Sequence, residues 1–272
     1  MNMSVAQYYL LDTFARVPFK GNPTPVCLLT DELSTQTMFM LAEEFNAPVT
    51  AFVATASDEL FKIRYFTGTG EIPACGHATL GAAHILLNQN PDFERIVFVT
   101  IEGVKIIANK ERDLVYLVYP VYERKDYEIP GELLEALGVE QIASHFYCDE
   151  LESLFIELKD DSAVRSIRPD FEKLRKSSDE VKEVVIMSES KSDDADFILR
   201  SFCPWIGIDE DPVTGSIHSV LGPYWKERTG KTELIAFQAS KRSGEIFIQV
   251  TDNSVKIGGP SKILVDGTLD LS

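Results

Sequence analysis

The stretch TGTGEIPACGHATLGAAHIL, Thr67 to Leu86, runs from a glycine- and threonine-rich turn through Pro73 to Cys75, Gly76 and His77, which stand directly before a run of small and apolar residues. That run is apolar nearly all round, which a surface helix is not, so it reads as a buried helix with a thiol and an imidazole at its mouth. A second stretch, DEDPVTGSIHSVLGPYW (Asp209 to Trp225), has the same layout. Setting Pro73 against Pro212 brings Gly76 opposite Gly215, Cys75 opposite Thr214 and His77 opposite Ser216. Each copy predicts a strand, a Pro-x-x-Gly turn and a buried helix, the second starting at Ser216.

Around these two stretches, runs of strand length recur: QYYLLDTF, TPVCLLT, TAFVAT, FKIRYFT, RIVFVTI, KIIANK and LVYLVYP before residue 124, then ESLFIELK, VKEVVIMSES, DFILRSF, LIAFQAS, GEIFIQV, SVKIGG and SKILVDGTL. STQTMFMLAEEFN predicts one more helix, with Ser34 or Thr35 as N-cap. Between the two series, YPVYERKDYEIPGELLEALG shifts to charge and proline. The chain therefore divides into two similar α/β halves, 1–124 and 125–272, with the C-terminal strand able to cross back to the first. A duplicated unit of this kind would bring its two internal helices together, their N-termini facing a shared cleft.

With 272 residues, 44% of them hydrophobic, the chain can bury a large core. The formal charge of −17 repels polyanions, which argues against nucleic acid and anionic membranes as partners. No run approaches the roughly 18 apolar residues of a membrane span, and MNMSVAQYYLLDTFARVPF lacks the basic and apolar regions of a signal peptide; a cytoplasmic protein is expected. Cys27, Cys75, Cys148 and Cys203 are widely separated, without CxxC or zinc-ligand spacing, so neither disulfides nor a structural metal are expected.

A helix N-terminus offers N–H groups without intrahelical partners and a partial positive charge, and a glycine there admits a ligand close to the backbone. Gly76 and Gly215 are therefore candidate substrate-binding residues for a small organic acid. His77 and Asp211 would bring an imidazole and a carboxylate to it, a usable acid/base pair, and Ser216 could hydrogen-bond it. The competing roles are helix capping for His77 and Ser216 and turn formation for Asp211. TGSIH is not a G-x-S-x-G elbow, which weakens a nucleophilic Ser216. Cys75 reads as a small packing residue and His218 as a packing or surface histidine.

DTFARVPFKGNPTPVCLL, FTGTGEIPACGHATLGAA, DEDPVTGSIHSVLGPYW, FQASKRSGEI and VKIGG, in this order over nearly the entire chain, resemble the phenazine biosynthesis PhzF-like family. The resemblance implies a diaminopimelate epimerase-like fold: two similar halves, each a curved, mostly antiparallel sheet around a central helix, commonly in a homodimer. It also implies cofactor-independent isomerase chemistry by proton transfer, with the family's histidine, aspartate and serine falling on His77, Asp211 and Ser216. The segment that in the family usually reads Asn-Leu-Ser-Glu-Thr stands here as NAPVT, Asn46 to Thr50, putting Val49 where the acid/base glutamate belongs. Glu43, Glu44, Glu71 and Asp211 are the nearby candidates to replace it. The alternative function is a small-acid-binding protein of the same fold with weak or no turnover.

Overall fold

The computed structural model describes residues 5–271 and divides into two compact units. One is the chain up to Tyr119 together with the residues from Lys256 onward; the other is Pro120–Val255. The chain thus leaves the first unit a few residues before position 124, and its last segment belongs with the first unit because the final strand pairs along the whole of the first.

The first unit contains β1 (Val5–Thr13), β2 (Asn22–Leu29), α1 (Thr35–Phe45), β3 (Thr50–Ser57), β4 (Leu60–Thr67), β5 (Gly70–Ile72), α2 (Gly76–Gln89), β6 (Arg95–Val99), β7 (Lys105–Glu111) and β8 (Leu114–Pro120). The second contains α3 (Gly131–Leu137), β9 (Ser144–Cys148), β10 (Ser153–Glu157), α4 (Asp161–Ser166), α5 (Phe171–Leu174), β11 (Glu183–Glu189), β12 (Phe197–Phe202), α6 (His218–Thr229), β13 (Glu233–Gln238) and β14 (Gly244–Val250). Two further strands, β15 (Ser254–Gly259) and β16 (Ser261–Asp270), carry the chain back to the first unit.

Strand order is β16-β1-β2-β3-β4-β6-β7-β8-β15 in the first unit and β14-β13-β12-β11-β10-β9 in the second. Most pairs are antiparallel, but every helical crossover joins a parallel pair. α1 connects β2 to β3, α2 lies between β4 and β6, α4 and α5 lie between β10 and β11, and α6 connects β12 to β13. Parallel neighbours cannot be joined by a tight turn, which is why each of these connections carries a helix.

α2 is buried along ten of its fourteen residues and touches β1, β2, β3, β6 and β7. Small side chains make this possible: a Cβ on Gly81 would stand 2.9 Å from the Thr24 methyl and 3.2 Å from that of Thr13. α6 is likewise internal to its unit. Trp225 stacks on Phe197 of β12 at 5.0 Å, Tyr224 packs on Phe146 of β9 and donates its hydroxyl to Glu157 of β10, and Gly222 lies against Ile248 and Val250 of β14. Pro223 removes the amide that would bond the Ser219 carbonyl; the Tyr122 N–H reaches that carbonyl instead, at 3.5 Å. Ser34 is the N-cap of α1, its hydroxyl accepting the Thr37 N–H at 3.0 Å.

Candidate active site

In the first unit the Pro-x-x-Gly turn delivers the chain into α2 with Cys75 as N-cap residue, Gly76 first in the helix and His77 second. Thr79 locks the turn by donating its hydroxyl to the Cys75 carbonyl at 2.7 Å, and the Tyr65 hydroxyl meets the same Thr79 oxygen at 2.5 Å. His77 is almost fully buried and does not cap its helix. Its Nδ1 lies 3.3 Å from the Asn22 amide nitrogen. With Asn22 as donor, the neutral ring carries its proton on Nε2. Asn22 is the first residue of β2 and follows Gly21, whose φ of +66° and approach to the Thr13 carbonyl exclude a side chain: a Cβ would stand 2.0 Å from that oxygen.

Cys75 is only partly buried, and its Sγ lies 3.4 and 3.6 Å from the two ring nitrogens of His77. It is a neighbour of the imidazole rather than a packing residue. Gly76 leaves room for Tyr119, whose hydroxyl would be 2.7 Å from a Cβ at that position. The sequence gives no sign that Asn22 and Tyr119 belong to this turn, because their partners lie far along the chain.

In the second unit the turn is held by two side chains, one buried and one half-buried. Gln238, at the end of β13 and without solvent exposure, donates its amide to the Asp211 carbonyl and accepts the Thr214 N–H, both at 2.9 Å. Ser240 donates to the Pro212 carbonyl at 2.6 Å. The Asp211 N–H donates to the Ser201 carbonyl at 3.1 Å, and its carboxylate accepts the Thr214 hydroxyl at 2.5 Å. The backbone of Asp211 is thus tied to the adjoining strand and its carboxylate to the Thr214 side chain of the same turn.

The second helix starts two residues later than the sequence suggests. α6 begins at His218 with Ile217 as N-cap, and Ser216 lies in the turn before it. The cause is His218: its N–H bonds the Gly215 carbonyl at 3.1 Å and its Nδ1–H donates to the same oxygen at 3.0 Å, which tightens the entry into i+3 bonding. Gly215 is buried and Ser216 partly exposed. Full burial pushes the His218 imidazole down to about 4, so the ring is neutral.

Val49 is 6% exposed and sits in the core. Of the three glutamates near it in sequence, Glu43 and Glu44 face solvent on α1. Glu71 is bound bidentately by Arg64, at 2.7 Å to each carboxylate oxygen. Among the described residues, no three His, Cys, Asp or Glu side chains gather closely enough to hold a metal ion, and no helix is long and apolar enough to cross a membrane.

Residues 11–268 match the family described as phenazine biosynthesis-like protein. The chain belongs to the phenazine biosynthesis-like (PhzF) family. An uncharacterized isomerase of Halalkalibacterium halodurans is 35% identical over 260 residues, spanning 94% of this chain and 96% of the relative. The crystal structure of a PhzF-family protein of Enterococcus faecalis superposes with a TM-score of 0.91 at 35% identity, covering 98% of this chain and all of that one. A hydroxyproline epimerase of Agrobacterium vitis, at 10% identity and TM-score 0.61 over 98% of this chain and 93% of its own, shares the fold alone. The architecture is therefore that of the PhzF proteins and the wider epimerase-like group.

Proposed function

We propose that the chain is a cofactor-independent isomerase that moves a proton on a small carboxylate-bearing metabolite. His77 and Asp211 carry the proton. The backbone amides at Gly76 and Gly215 and the Ser216 hydroxyl hold the substrate oxygens, Gly76 at a helix entrance and Gly215 and Ser216 in the turn ahead of α6. The observation that carries this proposal is the environment of His77: a buried imidazole in the first turn of an internal helix, within hydrogen-bond distance of the Asn22 side chain and touched by the Cys75 thiol. Neighbouring side chains that hold the ring at one angle are what acid/base work by histidine requires. Relatives named isomerases support the same reaction class. To test it, a panel of small 2- and 3-substituted carboxylic acids is incubated with the protein in D2O and followed by proton NMR. Loss of one C–H signal in one acid is expected; no exchange in any of them would overturn the proposal.

A second function is favoured by Val49: binding of a small acid without turnover. The valine is buried, Glu43 and Glu44 are in solvent, and Glu71 is engaged by Arg64. Loss of a general base costs about 10²- to 10⁴-fold in rate. Under this function Val49→Glu creates proton exchange that the parent lacks; a parent that already exchanges excludes it. We also take the chain to be a cytoplasmic homodimer built on an internal repeat. The common order of strand pairs, helical crossovers and Pro-x-x-Gly turns in the two units supports the repeat.

A further inference from the structure

Behind the Asp211 turn lies a second acid that no motif singles out. Glu183 opens β11, next to the start of β10 and on the face of the sheet that packs on α6. Part of the residue stays accessible while its carboxyl group is enclosed, accepting the Ser153 hydroxyl at 2.9 Å and the Ser201 hydroxyl. Both serines are fully buried. Ser201 does two things at once: its hydroxyl serves Glu183 and its carbonyl takes the Asp211 N–H. A single residue therefore joins the two acids.

The titratable groups facing Glu183 are Asp211, from the turn, and the Cys203 thiol, from the exit of β12, which burial keeps protonated and uncharged. Arg200, beside Ser201, is committed elsewhere, to Glu210 at 2.7 Å and to the Ile167 carbonyl. Burial pushes the Glu183 carboxyl up to about 7, the two serine hydroxyls pull the other way, and the Asp211 charge adds to the rise. Around neutral pH this carboxyl is thus part-protonated, which an ordinary glutamate is not.

Strand register gives Glu183 a counterpart. Thr50 pairs with Phe66 in the first unit and Val184 with Phe202 in the second, each across the antiparallel pair that leads to a Pro-x-x-Gly turn. Taking Phe66 and Phe202 as equivalents, Val49 corresponds to Glu183. The carboxyl that the first unit lacks at the head of this strand is present in the second.

We propose that Glu183 is a positioning residue for the proton-transfer reaction: it holds the Asp211 turn through Ser201, and its ionisation changes the field and geometry in which Asp211 works. This rests on the isomerase proposal, but its physical part does not need a substrate. The test is carboxyl ¹³C and amide ¹⁵N titration of the full chain, with Glu183 assigned by Glu183→Gln. The wild-type Glu183 midpoint is expected near 7, falling in Asp211→Asn and rising in Ser201→Ala, which removes a donor to the carboxylate. The Asp211 amide resonance should move through the same midpoint in the wild type and stay flat in Glu183→Gln. If an exchanged acid is found, the pH dependence of kcat/KM should lose the limb near 7 in Glu183→Gln. A midpoint unmoved by Asp211→Asn, or an Asp211 amide indifferent to pH near 7, overturns the assignment. Coupling present without turnover on any acid counts against the isomerase proposal alone.

Discussion

Replacing Gln238 by alanine removes the side chain that closes both sides of the second turn. Its amide nitrogen serves the Asp211 carbonyl and its amide oxygen the Thr214 N–H, each at 2.9 Å, and the residue has no exposure. Alanine can replace neither contact, so the Asp211 carbonyl and the Thr214 N–H each lose the Gln238 hydrogen bond. Each such loss costs about 1–3 kcal/mol, so the loss of stability is about 2–6 kcal/mol, the lower figure applying if water enters the space. Urea unfolding monitored by tryptophan fluorescence measures it; the midpoint should fall with the slope unchanged. Gln238→Glu separates packing from hydrogen bonding, since it keeps the volume and the acceptor for Thr214 but turns a second acceptor toward the Asp211 carbonyl. It should be destabilised as well. A change below about 0.5 kcal/mol in the alanine variant, the size of an ordinary surface substitution, would refute the role assigned to Gln238.

Other outcomes follow from the same geometry. His218 titrates near 4 when folded and at about 6.5 when unfolded, so it binds fewer protons folded than unfolded between those values; its contribution is present above 6.5 and lost as pH falls toward 4. His218→Gln should therefore lose about 2 kcal/mol less stability than the parent on going from pH 7 to pH 5, measured by urea unfolding; equal losses would contradict its burial as a neutral ring. Glu183 acts in the opposite direction: its raised value gives stability that is full below about 4.5 and declines as pH rises to about 7, so Glu183→Gln should gain on the parent between pH 5 and pH 8 in the same assay. Gly21→Ala puts a Cβ against the Thr13 carbonyl at positive φ and should destabilise by more than about 1 kcal/mol and shift the His77 ring resonances; a silent substitution would show that the Gly21–Asn22 corner does not set the imidazole.

The parts of the molecule legible in the sequence are those whose signal is local. The run from Ala78 to Leu87 reads as a buried helix because a small and apolar surface all round has no other home, and it is one. Ser34 announces the start of α1 in the same way. Where a side chain overrides a local preference the sequence misleads: Ser216 looks like an N-cap, but His218 claims the Gly215 carbonyl twice and moves the helix start. Glu71 looks available until β4 and β5 pair Phe66 with Glu71, which brings Arg64, two residues along on the same face, onto its carboxylate. Asn22, Gln238 and Ser240 lie in motifs recognised from the family, yet their work at the two turns depends on contacts across 55, 27 and 28 residues, which no spacing rule encodes. Glu183 was hidden for a similar reason: its meaning comes from strand register and from two serines on neighbouring strands.

The most direct measurement is solvent deuterium incorporation into an acid that the wild-type protein turns over, repeated with His77→Ala and Asp211→Asn after both variants are shown to be folded by circular dichroism. Incorporation at one carbon by the wild type, falling at least 100-fold in each variant, is the expected result. Full activity in both variants would contradict proton transfer by His77 and Asp211.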